Sequence, residues 1–176
     1  MGQSGDMITR ALLAVFMVLL LGLFSFFAIS LQNEKVLPVK SQKGKPLILE
    51  GDLYTIDGQS VDKKILLSEK VILNVYASYC LPCVVEHPFL MEIAELKDIK
   101  IIGISYKDQV LDTKEYLKRL GDPYDFSILD FEGNLSLKLG VIGPPETFLI
   151  IDGEIVAHRI GVIDINIWND EFAKYF

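Results

Sequence analysis

Both cysteines of the chain fall within one stretch, Ser78-Tyr79-Cys80-Leu81-Pro82-Cys83. The stretch lies where an apolar β-type run, Val71-Ile-Leu-Asn-Val-Tyr76, gives way to a helix-type run from Val84 to Leu96. Two thiols separated by two residues at a helix start share one turn, where they can close into a disulfide and reopen. Unpaired backbone N–H groups and the positive end of the helix dipole favour a thiolate at Cys80. Cys83 is expected to be buried behind it, placed to resolve a mixed disulfide by intramolecular attack. Two cysteines cannot build the disulfide framework of a small secreted domain, so they read as working thiols. A zinc or copper site is the alternative, but tetrahedral zinc takes four protein ligands and only His87 and His158 remain to complete it. The expectation is therefore no metal and no cofactor beyond the cysteine pair, with both histidines structural or exposed.

A second constellation is Pro144-Pro145 before Glu146-Thr147-Phe148. A proline just before a strand can carry a cis peptide bond or sit in an ordinary trans turn, and spacing leaves both open. In the cis case the Pro144 backbone would lie beside the disulfide, able to pair with an extended substrate strand. Glu86 and Glu146 are candidate acids near the thiols, able to take a proton from Cys83 or to raise thiol pKa values by repulsion. Taken singly, each reads first as a solvated surface charge. Asn74, the one polar residue of its strand, reads as a satisfied core amide.

The elements that must position these groups follow from pattern. Val71 to Tyr76 is continuous and apolar, as a strand buried on both faces should be. The helix after Cys80 contains Pro88, which predicts a kink. Ile99 to Ser105 reads as the next strand, Asp112 to Leu120 as an amphipathic helix stopped by Gly121 and Pro123, and Phe126 to Leu129 as a short strand. Leu135 to Leu139 forms a short helix ended by Gly140. Thr147 to Ile151 and Glu154 to Ile160, joined by Asp152-Gly153, form the clearest hairpin. Asp164 caps a closing helix towards Tyr175. Upstream, Leu47 to Ile56 reads as short strands turning at Asp57-Gly58, and Ser60 to Ser68 as a further extended piece. The order β-α-β-α-β-(short α)-β-β-α specifies an α/β sheet with parallel crossovers and one antiparallel hairpin.

At 176 residues, 51% apolar and with a formal charge of −7, the chain has room for one domain and an appendage and offers no nucleic-acid surface. Ala11 to Leu31 carries no charge. As a helix at ~1.5 Å per residue it would be about 31 Å long, against a bilayer core of roughly 30 Å. An uncleaved anchor is the reading, and a cleaved signal peptide the alternative. Residues 1–10 are then a short cytoplasmic terminus, 11–31 a transmembrane anchor, 32–45 a linker and 46–176 the domain. Lys35, Lys40, Lys43 and Lys45 follow the span while Arg10 precedes it, which read naively puts the domain in the cytoplasm. A large C-terminal domain translocates largely regardless of such charges, so orientation must come from elsewhere.

Several stretches together resemble one family, the membrane-anchored thioredoxin-like proteins of cytochrome c maturation called CcmG or DsbE. They are Leu73 to Cys83 with Glu86-His87, Gly103 to Asp108, Leu117 to Tyr124 and Gly140-Val-Ile-Gly-Pro-Pro-Glu-Thr-Phe148. The resemblance implies a thioredoxin fold with an N-terminal β extension behind one transmembrane helix, in the bacterial inner membrane with the domain in the periplasm. It implies a reductant of the haem-attachment cysteines of apocytochrome c, directly or through a CcmH-like partner, recharged by a DsbD- or CcdA-like donor. A copper-handling chaperone and a general periplasmic thiol-disulfide reductase are the alternatives. By the match Cys80 is the nucleophile, Cys83 the resolving thiol and Pro145 the cis-proline, with Pro144 and Thr147 beside it positioning substrate. Glu86 and Glu146 belong to the acidic active-site surroundings. Tyr76 and Tyr79 stand where the family usually has Trp, as aromatic cover, and Leu81-Pro82 replaces the family's usual Pro-Thr type of dipeptide, a change that bears on redox potential.

Overall fold

A computed structural model describes residues 3–32, 41–68, 70–96 and 99–176. The chain divides into two units, residues 1–39 and 40–176. In the first, α1 (Gln3–Gln32) is one continuous helix whose described apolar side chains, from Leu12 to Phe27 and at Ile29, are exposed. Among the described residues, no helix is long and apolar enough to cross a membrane. Most of the expected linker, residues 33–40, lies outside the described residues, as do residues 1 and 2 of the expected cytoplasmic terminus.

The second unit is built on a five-stranded sheet. Its strands are β1 (Val71–Tyr76), β2 (Lys100–Tyr106), β3 (Phe126–Asp130), β4 (Glu146–Ile151) and β5 (Glu154–Ile160), in the spatial order β3-β2-β1-β4-β5. β1 pairs parallel with β2 and antiparallel with β4, so it is the centre of the sheet, and all six of its residues are buried. The parallel pairs require crossovers, supplied by α3 (Leu81–Ala94) and α4 (Val110–Leu120). The β4–β5 turn, Asp152-Gly153, takes positive φ at both residues, the backbone that a two-residue hairpin needs.

Strand alternation sends successive side chains to opposite faces, and each face has its own core. Ile72, Tyr76, Ile101 and Leu149 pack under α3 and α4 with Trp168 and Phe172 of the C-terminal segment. Val71, Leu73, Val75, Ile102, Ile104, Phe148 and Ile150 face the other way, against Leu66 of α2 (Lys63–Ser68) and Leu135 and Leu139 of α5 (Asn134–Leu139). The register Val75↔Glu146 and Asn74↔Thr147 therefore puts Thr147 on the α3 face and Glu146 on the opposite one.

Three expectations change here. Ser60 to Ser68 is not extended: Ser60 makes a bridge to Tyr54, and 63–68 is helical, with Asp62 Oδ1 accepting from Lys64 N at its start. The β extension is present as isolated bridges, Pro46↔Glu154, Tyr54↔Ser60 and Thr55↔Ile128. The closing helix is capped by Asp164 Oδ1, which accepts from Asn166 N and Ile167 N, but changes winding. It runs as α6 (Ile165–Ile167), a π turn (Trp168–Phe172) and a 3₁₀ turn (Ala173–Tyr175).

Residues 41–45, expected in the linker, are held on the domain. Gly44 N donates to Ile155 O at 2.7 Å, Ile155 N to Lys45 O at 2.9 Å and Leu47 N to Gly153 O at 2.7 Å, so this segment lines the outer edge of β5.

Candidate active site

Cys80 is the N-cap of α3, and Pro82 occupies the first turn, where a missing N–H costs nothing. Cys80 and Cys83 are joined in a disulfide with 5.3 Å between their Cα atoms. Cys80 Sγ accepts from Cys83 N at 3.1 Å, so a free backbone donor of the helix start already points at the sulfur where a thiolate would form. Both cysteines are buried in the disulfide form, Cys83 at 1% exposure and Cys80 at 6%. Tyr79 (60% exposed) and Leu81 (79%) stand in solvent on either side of Cys80. The turn before the helix is fixed by Asp108, whose carboxylate accepts from Ser78 N at 2.6 Å and Ser78 Oγ at 3.0 Å. Nothing in the pattern of single residues singles out Asp108; its signal was its place in the loop after a central parallel strand.

Behind the cysteines, α3 runs unbroken through Pro88 and carries Glu86 and His87 into the core. Glu86, read first as a solvated charge, is buried. Its Oε1 accepts from Asn74 Nδ2 at 2.8 Å and its Oε2 from Ile163 N at 3.0 Å. Burial pushes its carboxyl up to about 7, opposed by those two hydrogen bonds. Asn74 is fully engaged, since its Nδ2 also reaches Thr147 Oγ1 at 3.1 Å and its Oδ1 accepts from Tyr124 OH at 2.7 Å. Thr147, expected to position substrate, is thus a buried partner of this network. Tyr76, expected as cover beside Tyr79, is instead core: its ring stacks on Tyr124 at 4.7 Å, and its OH donates to Ser127 Oγ. Gly103, opposite Asn74, leaves room for these rings, since a Cβ there would lie 2.7 Å from Tyr76 Cε1.

The second constellation lies at the C-terminal end of β1, where β4 begins. The Pro144–Pro145 peptide bond is cis, Pro145 is buried, and its carbonyl accepts from Gly161 N at 2.9 Å. Glu146 is also buried, on the face away from α3. Its Oε1 accepts from Ile142 N at 2.7 Å and Gly143 N at 3.2 Å, and its Oε2 lies 2.9 Å from His158 Nε2. The two acids therefore do not form one acidic patch beside the thiols. The alternation of the strand separates them, and Glu146 holds the loop before Pro144 while Glu86 sits behind the helix.

Both histidines have their ring nitrogens engaged. His87 Nε2 donates to Gly121 O at 3.0 Å and Nδ1 faces Tyr116 OH at 3.2 Å, while burial lowers its pKa. His158 Nδ1 accepts from Gln42 N at 3.0 Å. Among the described residues, no group of three or more His, Cys, Asp or Glu side chains is arranged to hold a metal ion.

A helix-capping cysteine pair joined in a disulfide at the C-terminal end of the central strand, with a cis-proline loop beside that strand, defines a thiol-disulfide oxidoreductase of thioredoxin-like fold. Comparison with known proteins agrees. The Redoxin family model matches residues 32–174. The thiol:disulfide interchange protein DsbE of Allochromatium vinosum is 33% identical over 163 residues, 92% of this chain and 90% of that protein. The DsbE of Vibrio cholerae is 39% identical over 120 residues, 68% of this chain and 65% of that one. Among solved structures, a DsbE-type protein from Chlorobium tepidum superposes with a TM-score of 0.61 at 20% identity, covering 73% of this chain and 92% of that one. The chain belongs to the redoxin family, in its DsbE branch of thiol:disulfide interchange proteins.

Proposed function

We propose that the chain is a membrane-tethered reductant whose domain works in the periplasm on the haem-attachment cysteines of apocytochrome c, or on a CcmH-like partner that carries them. The observation that carries this reading is the pairing of Cys80 at the α3 N-cap with the loop Gly140–Phe148, whose sequence is the one the chain shares with that family. The anchor reading is supported by the uncharged run 11–31 and by the exposed apolar side chains of α1.

In this mechanism the reduced pair presents the Cys80 thiolate, and the Cys83 amide stabilises its charge. Cys80 Sγ attacks a substrate disulfide, forming a mixed disulfide and releasing one substrate thiolate. Cys83 then loses its proton and attacks Cys80 Sγ, which forms the Cys80–Cys83 bond and releases the second substrate thiolate. The substrate gains two electrons and the chain loses two, restored by a DsbD- or CcdA-like dithiol donor. Glu86 is the buried base on the Cys83 side of the sheet. Pro144 lacks an N–H, so its carbonyl is the backbone group it can offer to an extended substrate strand. The disulfide itself is the redox group, with no further cofactor.

Trapping tests this. In the full-length chain Cys83→Ser should accumulate a mixed disulfide through Cys80 with proteins bearing a Cys-x-x-Cys-His segment, and Cys80→Ser should accumulate none. A membrane-impermeant thiol reagent added to spheroplasts should label Cys80 of the Cys83→Ser chain. Adducts formed through Cys83, or labelling of Cys80 only after lysis, would overturn the attack order or the orientation.

A further inference from the structure

Polar groups on the far face of the sheet, buried at His158 and Glu146, form one continuous chain that ends at the loop before Pro144. Its first member is Gln42 N, which can only donate. His158 Nδ1 must therefore present its lone pair to it at 3.0 Å, and the ring proton sits on Nε2. The 2.9 Å contact from Nε2 to Glu146 Oε2 is then a hydrogen bond donated by the neutral ring to the carboxylate. Glu146 Oε1, held in place by that bond, accepts from Ile142 N and Gly143 N. The His158 ring is clamped by stacking on Phe148 at 4.1 Å, with an interplanar angle of 8°. Both side chains of the pair are 0% exposed, so water cannot replace either partner. The Gln42 side chain lies against the start of the same loop, since a Cβ at Gly140 would come within 2.4 Å of Gln42 Nε2.

We propose that His158 is a positioning residue for disulfide exchange, holding the loop 141–145 in its substrate-ready geometry through Glu146 and tying it to the edge segment 41–47. It touches neither sulfur nor substrate. Its tautomer is set from one side by a backbone donor, and its remaining proton orients the carboxylate that fixes two loop amides. The geometry couples the segment that enters the domain from the N-terminal side to the loop beside the cysteines. The inference rests on the reading of loop 141–145 as the place where an extended substrate lies.

Two substitutions separate positioning from bulk. His158→Phe keeps the ring over Phe148 and removes both nitrogens, while His158→Gln restores one acceptor and one donor. In the full-length chain in detergent micelles, amide exchange at Ile142 and Gly143 should accelerate by about tenfold or more in His158→Phe, while the central-strand amides of Ile72 and Leu73 keep their protection. The rate of exchange with a disulfide-bonded peptide should fall by roughly five- to tenfold, while reduction of Cys80–Cys83 by dithiothreitol stays within about twofold. His158→Gln should recover most of both effects. Unchanged amide exchange at Ile142 and Gly143 overturns the proposal, and so does equal loss of protection at Ile72 and Leu73, which would make His158 a residue of general stability. A wild-type chain that fails to exchange with the peptide would instead sink the docking reading of the loop, with the amide measurement still deciding the relay.

Discussion

Glu86 takes two N–H donors, from Asn74 and Ile163, yet burial outweighs them and holds its proton up to about 7, against 4.5 for the exposed group. That shift gives stability a definite slope. Between those two values the folded chain binds more protons than the unfolded one, so the contribution is fully present below about 4.5 and is lost as pH rises through about 7. Its size is on the order of 3 kcal/mol, an upper figure for a carboxyl that keeps both its hydrogen bonds. Asp122 is also pushed up by burial and acts in the same direction, so the informative quantity is a difference between variants. Denaturant midpoints of the oxidised protein should fall from pH 5 to pH 8, and Glu86→Gln should remove most of that fall while lowering stability at both. An equal slope in the two proteins would mean that Glu86 is ionised throughout.

At the scale of elements, the short helix that leads into the Gly140–Pro145 loop is held by a cap from a neighbouring strand. α5 starts at Gly133, whose φ of 75° makes the turn and which has no side chain to cap the helix. Asp130, at the end of β3, supplies the cap instead: its Oδ1 accepts from Leu135 N at 3.0 Å and its Oδ2 from Ser136 N at 2.8 Å. Asp130→Ala should therefore cost about 1–2 kcal/mol and lower Tm by roughly 3–8 °C, with Asp130→Asn losing less; a melting scan that finds Asp130→Ala unchanged would show that α5 is fixed by packing alone. Element type was legible wherever apolar periodicity ran long enough, as in β1, α4 and the β4–β5 hairpin. It failed for 60–68, where a six-residue helix is too short to show a period and, unlike the equally short α5 with Gly140 behind it, has no glycine after it to mark a helix end. The site was legible in its cysteines, because Cys-x-x-Cys at a strand–helix junction has few other uses. The acids were harder. Identifying Glu146 and Thr147 as adjacent in sequence already implied opposite faces of a strand, but only the register to β1 says which face belongs to α3. For Tyr76 the strand pattern and the resemblance point different ways: a buried strand places it in the core and the family's aromatic cover places it at the surface, and it is 1% exposed where Tyr79, past the strand end, is 60% exposed.

Over the whole domain, the sheet ends at two edges, and the chain covers each with its own N-terminal segment. On the β3 side, Ile56 N donates to Ser127 O and Leu129 N to Tyr54 O, both at 2.9 Å. On the β5 side the cover is 41–47, which satisfies Gly153 O and both backbone groups of Ile155, and places Leu47 in the core. An uncovered edge is a template for pairing with another chain, and this one would also lose the Gln42 donor to His158. Three net hydrogen bonds at ~0.5–1.5 kcal/mol and one buried leucine at ~1.5–3 kcal/mol put the contribution of the segment at about 3–7 kcal/mol. Residues 40–176 form the compact unit, so a protein starting at Lys40 should be monomeric and cooperative in denaturant. One starting at Ile48 should unfold at a markedly lower denaturant midpoint and show a mass in sedimentation that rises with concentration, because β5 is then open along its length. Matching midpoints and masses for the two would mean that 41–47 is a passive tether. A drop in stability without association would mean that the segment serves the core through Leu47 and that the charged residues of β5, Glu154 and Arg159, guard the edge by themselves.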